Sequence, residues 1–235
     1  MQRTTKRSLD QLVGEQIARW QQRGMEQKKA GSNRHIPCIT VSRDPGSGGA
    51  LVARQLAKDL EMDLIGVQII KQVAERADVS EKVIQSLDNK GVRLLDSWMD
   101  SLFQTRHISP DEYLYHLSKV VGTIGKQGNA IIMGRGGQFL LPPEENFRVR
   151  ITALRETQIR NIMQSKKFDQ TTAESYVSKT AADRDAFHRK YFTADWKDAV
   201  HYDLIINTSY LGIKGAVAGI EAAFAVWKDV PHKSK

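Results

Sequence analysis

A single cysteine, Cys38, occurs in the 235 residues, so the chain forms no internal disulfide and no multi-cysteine metal site. The six histidines share no helix face at ligand spacing, and no histidine metal centre is expected. No G-x-S-x-G element is present, and Cys38 falls inside a strand pattern, where a cysteine is more often a small buried residue than a nucleophile. No apolar run approaches the about 20 residues that span a bilayer. The start, "MQRTTKRSLDQLVGEQ", lacks the apolar stretch of a secretory signal. There is no internal repeat and no low-complexity segment. These absences leave a soluble, cytoplasmic protein without membrane association as the expectation.

Hydrophobic residues make up 40% and charged residues 26% of the chain, enough for a sizeable core and against global disorder. The net charge of +8 is unevenly placed. Residues 1–35 hold eight Lys/Arg and three Asp/Glu, a net of +5, and the remainder carries +3. The body is therefore not strongly basic. The segment reads as a solvated leader helix rather than a nucleic-acid arm. Within it, Leu9, Leu12, Val13, Ile17 and Trp20 fall on one helical face. The helix is expected to end near Gly24, before a polar linker "KKAGSNR". The stripe needs a cover, either the domain itself or a second copy in a homodimer.

Beyond residue 35, short apolar runs alternate with helical patterns. Strands are expected at 36–42, 62–66, 129–134, 147–153 and 202–208. Helices are expected at 50–60, from the second strand to about 76, at 80–104, at 109–128 with Ser109 as N-cap and Pro110 in its first turn, and at 213–227. Strands separated by helices of this length imply a parallel sheet covered on both faces, a three-layer α/β/α class. Ligands of such sheets sit beyond the carboxyl ends of the strands. Three segments share that rim: the turn after 36–42, "GRGG" after 129–133, and the turn after 147–153.

The first of these is "SRDPGSGG". Gly46, Gly48 and Gly49 allow close backbone approach, Ser47 adds a hydroxyl, and the following helix offers free amides and its positive dipole end. Against the phosphate-loop pattern G-x-x-x-x-G-K-[ST], Arg43 stands at the first glycine, Gly49 at the lysine, and Ala50 and Leu51 supply no metal-binding hydroxyl. Alone, the stretch suits a tight strand–helix turn as well as a phosphate cradle. Arg43 could restore the missing cation. In "IIMGRGGQF", glycines hold Arg135 on the rim, a placement suited to bidentate phosphate binding. Further on, Arg155, Arg160, Lys166 and Lys167 lie on one helix and Asp183, Arg184, Asp185 and Arg189 on the next. Two such helices joined by a polar turn read either as a lid over polyphosphate or as a solvated hairpin.

Taken in order, "ITVSRDPGSGG", "AIIMGRGG", "RVRITA" and "DRDAFHRKYFTADWKDAVHYDLIINTSYL" resemble the cytidylate kinase-like family over residues 36–228. The resemblance implies a P-loop, nucleoside-monophosphate-kinase-type fold with a mainly parallel five-stranded sheet and a helical lid at about 155–190. The flanks are a basic leader, 1–35, and a tail, 229–235. It further implies transfer of the γ-phosphoryl group of ATP, with Mg2+, to a nucleoside monophosphate such as CMP or dCMP. By the same resemblance Arg135, Arg155, Arg160, Arg184 and Arg189 are catalytic. Arg43, Gly46, Ser47, Gly48 and Gly49 bind the donor, and Arg135, Asp183 and Asp185 bind substrate. The family's glycine–arginine–aspartate motif resembles Gly134–Arg135–Gly136 with the acid lost. Its terminal strand end resembles Asn207–Thr208.

The departures matter chemically. The lysine position is Gly49, a change the cytidylate kinase-like family shares, and the second strand ends in Ile65–Gly66 where tyrosine–aspartate is usual. An acid that could hold substrate or metal is absent. A nucleotide-binding regulatory protein without turnover on the same fold is thus the main alternative. A nucleic-acid binder working through residues 1–35 is a further one.

Overall fold

A computed structural model describes residues 8–29, 36–87, 89–105 and 111–231. In chain order the elements are α1 (Leu9–Lys29), β1 (Cys38–Arg43), α2 (Gly49–Asp59), β2 (Asp63–Ile65), α3 (Val67–Ala74), α4 (Ala77–Ile84), α5 (Asn89–Thr105), α6 (Glu112–Gln127) and β3 (Ala130–Met133). Then come α7 (Gly137–Leu140), β4 (Asn146–Thr152), α8 (Arg155–Lys166), α9 (Gln170–Tyr191), β5 (Leu204–Asn207) and α10 (Thr208–Asp229). The five strands form one sheet in the order β2-β3-β1-β4-β5. Every pairing is parallel, with Ile39 opposite Ile131 and Val41 opposite Val149. All carboxyl ends therefore share one edge. β1 lies at the point where the strand order reverses, and the turn that follows it opens on the crevice.

The alternation of side chains along each strand builds two cores. On one face Ile39, Val41, Ile131, Val149, Ile151 and Ile206 pack against Val52 and Leu56 of α2 and Val217, Ile220 and Phe224 of α10. On the other, Cys38, Ala130 and Ile132 pack against α3, α4 and α6 through Ile70, Val73, Val83, Leu117 and Ile124. Cys38 is fully buried, and burial pushes its thiol up to about 12. A thiolate nucleophile is thereby disfavoured. By length and composition α10 could cross a membrane. Its Ala216–Val217–Ile220–Phe224 stripe, however, lies in the core of the sheet.

Several expected boundaries shift for identifiable reasons. The helix expected at 80–104 is two, α4 and α5. The Ser86 hydroxyl donates to the Val83 carbonyl at 2.6 Å, and the run Ser-Leu-Asp-Asn favours such local bonds over helix. α1 continues past Gly24 to Lys29, since one interior glycine costs only about 1 kcal/mol. Asp111 caps α6 by accepting from the Tyr113 amide at 2.9 Å. Ser109 and Pro110 lie outside the described residues. The closing helix starts early, at Thr208, but is kinked at Gly212.

The domain itself covers the stripe of α1. Val13 and Trp20 are 6% exposed and join the core of α3, α4 and α6, with Ile17 packed against them. Asp63 on the edge strand accepts from Gln16 at 2.7 Å and pairs with Arg23. Leu9 has no described side chain. Because truncating a buried tryptophan costs about 3–5 kcal/mol, Trp20→Ala is expected to undock α1. Amide exchange within residues 12–26 should accelerate by about a hundredfold or more while the sheet keeps its protection. Equal acceleration throughout would mean that α1 unfolds only with the whole domain.

Candidate active site

The turn after β1 is held by side-chain bonds to its carboxylate and carbonyls. Asp44 takes the Thr152 hydroxyl at 2.6 Å and the Arg150 guanidinium at 3.4 Å. Ser47 is fully buried and donates its hydroxyl to the Asp44 carbonyl at 2.8 Å. Its oxygen therefore works inside the turn and faces no ligand. Thr208 clamps the turn from the other side, donating to the Ser47 carbonyl at 2.8 Å. Gly46 and Gly48 have φ of 73° and 74°, the left-handed region that glycine enters without steric cost. Gly48 precedes α2 and no side chain caps that helix, so the positive end of α2 opens onto the space in front of it.

The decisive local geometry joins Arg43 and Gly49. A Cβ placed on Gly49 would stand 2.8 Å from Cβ of Arg43 and 3.2 Å from its Cδ. Side chains at positions 43 and 49 are therefore mutually exclusive. In the phosphate-loop pattern the first of these positions is glycine and the second lysine. Here the residues are exchanged, and the cation comes from the opposite end of the loop. Arg43 reaches across to the turn after β3, where its Nη1 lies 3.3 Å from the point a Cβ on Gly134 would occupy. Arg184 of α9 donates to the Arg43 carbonyl. Burial, with Arg184 alongside, lowers the Arg43 guanidinium to about 10. Burial also lowers Arg184, partly offset by Asp44. Neither arginine forms an ion pair with a carboxylate among the described residues. Two adjoining, partly desolvated cations without a direct salt bridge favour an anion.

Both arginines line a cavity of about 570 Å3 with Gly46, Gly48, Gly49 and Ala50 of the loop and Ile213 of α10. The hairpin of α8 and α9 closes its far wall through Asn161, Ser165, Tyr176 and Thr180. That hairpin is docked on the loop. The Gln158 carbonyl lies 2.3 Å from the place of a Cβ on Gly46, and Asn161 donates to the Gly46 carbonyl at 2.8 Å. Gly46 thus serves close approach of the hairpin backbone. A volume of this order accommodates a small ligand such as a nucleotide.

Next to the cavity, Gly134, Arg135 and Gly136 have φ of 77°, 57° and 70°. For arginine this conformation costs about 1–2 kcal/mol. The guanidinium lies over the Phe187 ring at 5.1 Å, and its Nε is buried without a partner. Arg135 forms no ion pair with an acid among the described residues. Tyr113 and Tyr191, with ring centroids 5.7 Å apart, continue the aromatic wall. Burial raises the Tyr113 hydroxyl, while Arg135 acts in the opposite direction.

With this geometry in place, comparison with known proteins is informative. The model of the cytidylate kinase-like family matches residues 38–210. The chain belongs to that family. A cytidylate kinase from Pyrobaculum islandicum is 23% identical over 186 residues, covering 76% of this chain and 88% of its own. One from Ignicoccus hospitalis is 23% identical over 185 residues, covering 78% and 96%. The fold recurs in the crystal structure of an uncharacterized protein from Eubacterium ventriosum. Its TM-score is 0.62 at 22% identity, over 82% of this chain and 99% of that one.

Not every residue expected at the family's site converges there. Arg43, Gly46, Gly48, Gly49 and Arg184 line one cavity; Arg135 is not in its wall, and the Gly134 turn that precedes it lies against the Arg43 guanidinium. Arg155 instead ties the hairpin together, donating to Ser178 at 2.6 Å. Arg160 is exposed beside Thr157, and Asp183 is exposed. Asp185 and Arg189 face a separate recess formed with Trp196. There the Asp185 carboxylate takes the Trp196 indole N–H and Lys197, both at 2.8 Å. The reason is helical phase: Arg184 turns toward Arg43, while Asp185 and Arg189 face the 193–197 turn. Sequence reasoning missed Asn161, Tyr176 and Thr180. The spacing of Gln158, Asn161 and Ser165, one polar face of α8, was the available signal.

His188 anchors this region, 7% exposed and stacked on Trp196 at 4.9 Å. Its Nδ1 lies 2.8 Å from the Arg184 carbonyl, so Nδ1 carries the proton and donates. Burial lowers its pKa. The unfolded chain then binds a proton near pH 6.5 while the folded one resists it. Stability is expected to be full above that pH and to fall as pH drops through about 6, by up to about 1.4 kcal/mol per unit. Chemical denaturation between pH 7 and 5 checks this, and His188→Gln should flatten the slope. The strain at Arg135 gives a second test. Arg135→Gly and Arg135→Ala lose the same side-chain contacts, yet the glycine variant should be more stable by about 1 kcal/mol. Equal stabilities would remove the strain.

Proposed function

We propose that this protein is an ATP-dependent phosphotransferase that moves the γ-phosphoryl group to a nucleoside monophosphate, CMP and dCMP being the first acceptors to test. The observation that carries the reading is the exchange between Arg43 and Gly49, which replaces the missing loop lysine with a cation at the same cavity. Family membership and the names of the two relatives support the reaction class and the pyrimidine acceptor. In this reading the amides at the start of α2, with Arg43 and Arg184, hold the donor's phosphates. Arg135, fixed over Phe187 on the neighbouring turn, takes the acceptor phosphate. The docked hairpin keeps water out, which suppresses hydrolysis. Phosphoryl transfer of this kind rests on positioning and on charge stabilisation. Arg155, Arg160, Asp183, Asp185 and Arg189 stand outside the cavity and take no direct part.

A nucleotide-binding regulatory role without turnover is the second reading. It is favoured by the absence of an acid at Gly66, where a metal- or substrate-holding carboxylate would help transfer. Incubation with ATP and a panel of nucleoside monophosphates separates the two. ADP formation dependent on one acceptor supports the transferase, whereas nucleotide-induced stabilisation without ADP supports the binder.

The exchange makes its own test. Arg43→Met should weaken nucleotide binding by roughly ten- to a hundredfold, the loss of a charge-assisted contact of about 1.5–3 kcal/mol. Gly49→Lys alone should destabilise the loop by clashing with Arg43. The double variant Arg43→Gly with Gly49→Lys restores the glycine and lysine of the usual pattern, though not its hydroxyl at Ala50, and should recover binding relative to Arg43→Met. A Gly49→Lys protein that folds and binds like the wild type would refute the exchange.

A further inference from the structure

Loops of the usual pattern neutralise polyphosphate with a lysine and with a metal ion held by the adjacent Ser or Thr hydroxyl. The residues here do not fit such an ion. Ala50 and Leu51 carry no side-chain oxygen. Among the described residues Asp44 is the only carboxylate lining the cavity. Its oxygens are already committed to Thr152 at 2.6 Å and Arg150 at 3.4 Å. The Ser47 hydroxyl is buried within the turn. Among the described residues no group of three or more His, Cys, Asp or Glu is placed to hold a metal. The remaining side-chain oxygens of the wall are neutral ones on the hairpin, from Asn161, Gln164, Ser165, Tyr176 and Thr180. Against this lack of a free carboxylate stand two guanidiniums, Arg43 and Arg184, neither in a salt bridge among the described residues. Arginine presents several fixed N–H donors to phosphate oxygens and needs no bridging ion to do so.

We infer that this cavity neutralises a nucleotide's polyphosphate with the Arg43–Arg184 pair and contributes no carboxylate or loop hydroxyl to a divalent cation, so nucleotide binding does not require Mg2+. The inference rests on the nucleotide-binding reading above and sharpens it. Metal-free triphosphate carries more negative charge than its magnesium complex, and its attraction to two cations is correspondingly stronger. Magnesium should therefore leave affinity unchanged or weaken it. Any magnesium used in transfer would arrive coordinated by the substrate alone.

The test is calorimetric titration of the full chain with ATP, and separately with inorganic tripolyphosphate, in excess EDTA and again in excess Mg2+. Binding in EDTA at least as tight as in Mg2+, for both probes, is the expected result. Affinity for ATP that is about tenfold or more higher with Mg2+ would overturn the inference and leave the nucleotide reading standing. Failure of both probes to bind in either condition would overturn that reading together with the inference. Measurement on the wild-type protein makes the outcome independent of whether an arginine variant folds.

Discussion

The site depends on a steric exclusion of a few ångströms. At the end of β1 the chain turns so tightly that Cβ of Arg43 and a Cβ on Gly49 would lie 2.8 Å apart, closer than two carbons can approach. One of the two must be glycine. Once Arg43 carries the side chain, its guanidinium must travel along the path that Gly49 vacates, towards Gly134 and into the cavity under α9. The rest of the region is arranged around that path. Arg184 binds the Arg43 carbonyl, Thr208 pins Ser47, and Asn161 holds α8 to Gly46.

This arrangement places positive charge with little acid to balance it. Asp44, the nearest carboxylate, is used to fix the turn through Thr152 and Arg150. The strained Arg135 follows the same logic. Its backbone sits where glycine is favoured, and its charge rests on an aromatic face instead of an acid. Residues held at such cost mark places where an external partner completes the interaction. Both arginine groups present charge of the sign that an anion would complete.

The hairpin has a double role. Its own small core of Ile162, Ala173 and Val177 makes it a firm unit. Asp169 begins α9 by accepting from the Thr172 amide at 2.7 Å. Its inward face supplies Arg184, Tyr176 and Thr180 to the cavity, while its outward charges remain solvated or brace the hairpin. Cationic density along the two helices therefore overstates the number of residues that reach a ligand.

The alternation of β-branched runs with helical patterns was enough, without tertiary information, to determine the parallel α/β class. The reason is local: strand and helix periodicities are properties of neighbouring residues. The family likewise followed from the order of short glycine and arginine motifs. The break between α4 and α5 was written in Ser86–Asn89 but read too weakly against the surrounding helical pattern. What only the tertiary structure decided was convergence. That α1 is covered by its own domain, that Asp185 and Arg189 turn toward Trp196 while Arg184 turns inward, and that Arg43 fills the place left by Gly49 all depend on contacts between distant segments. A one-residue step rotates a helical side chain by about 100°, and only packing fixes which one of two neighbouring charges meets the cavity.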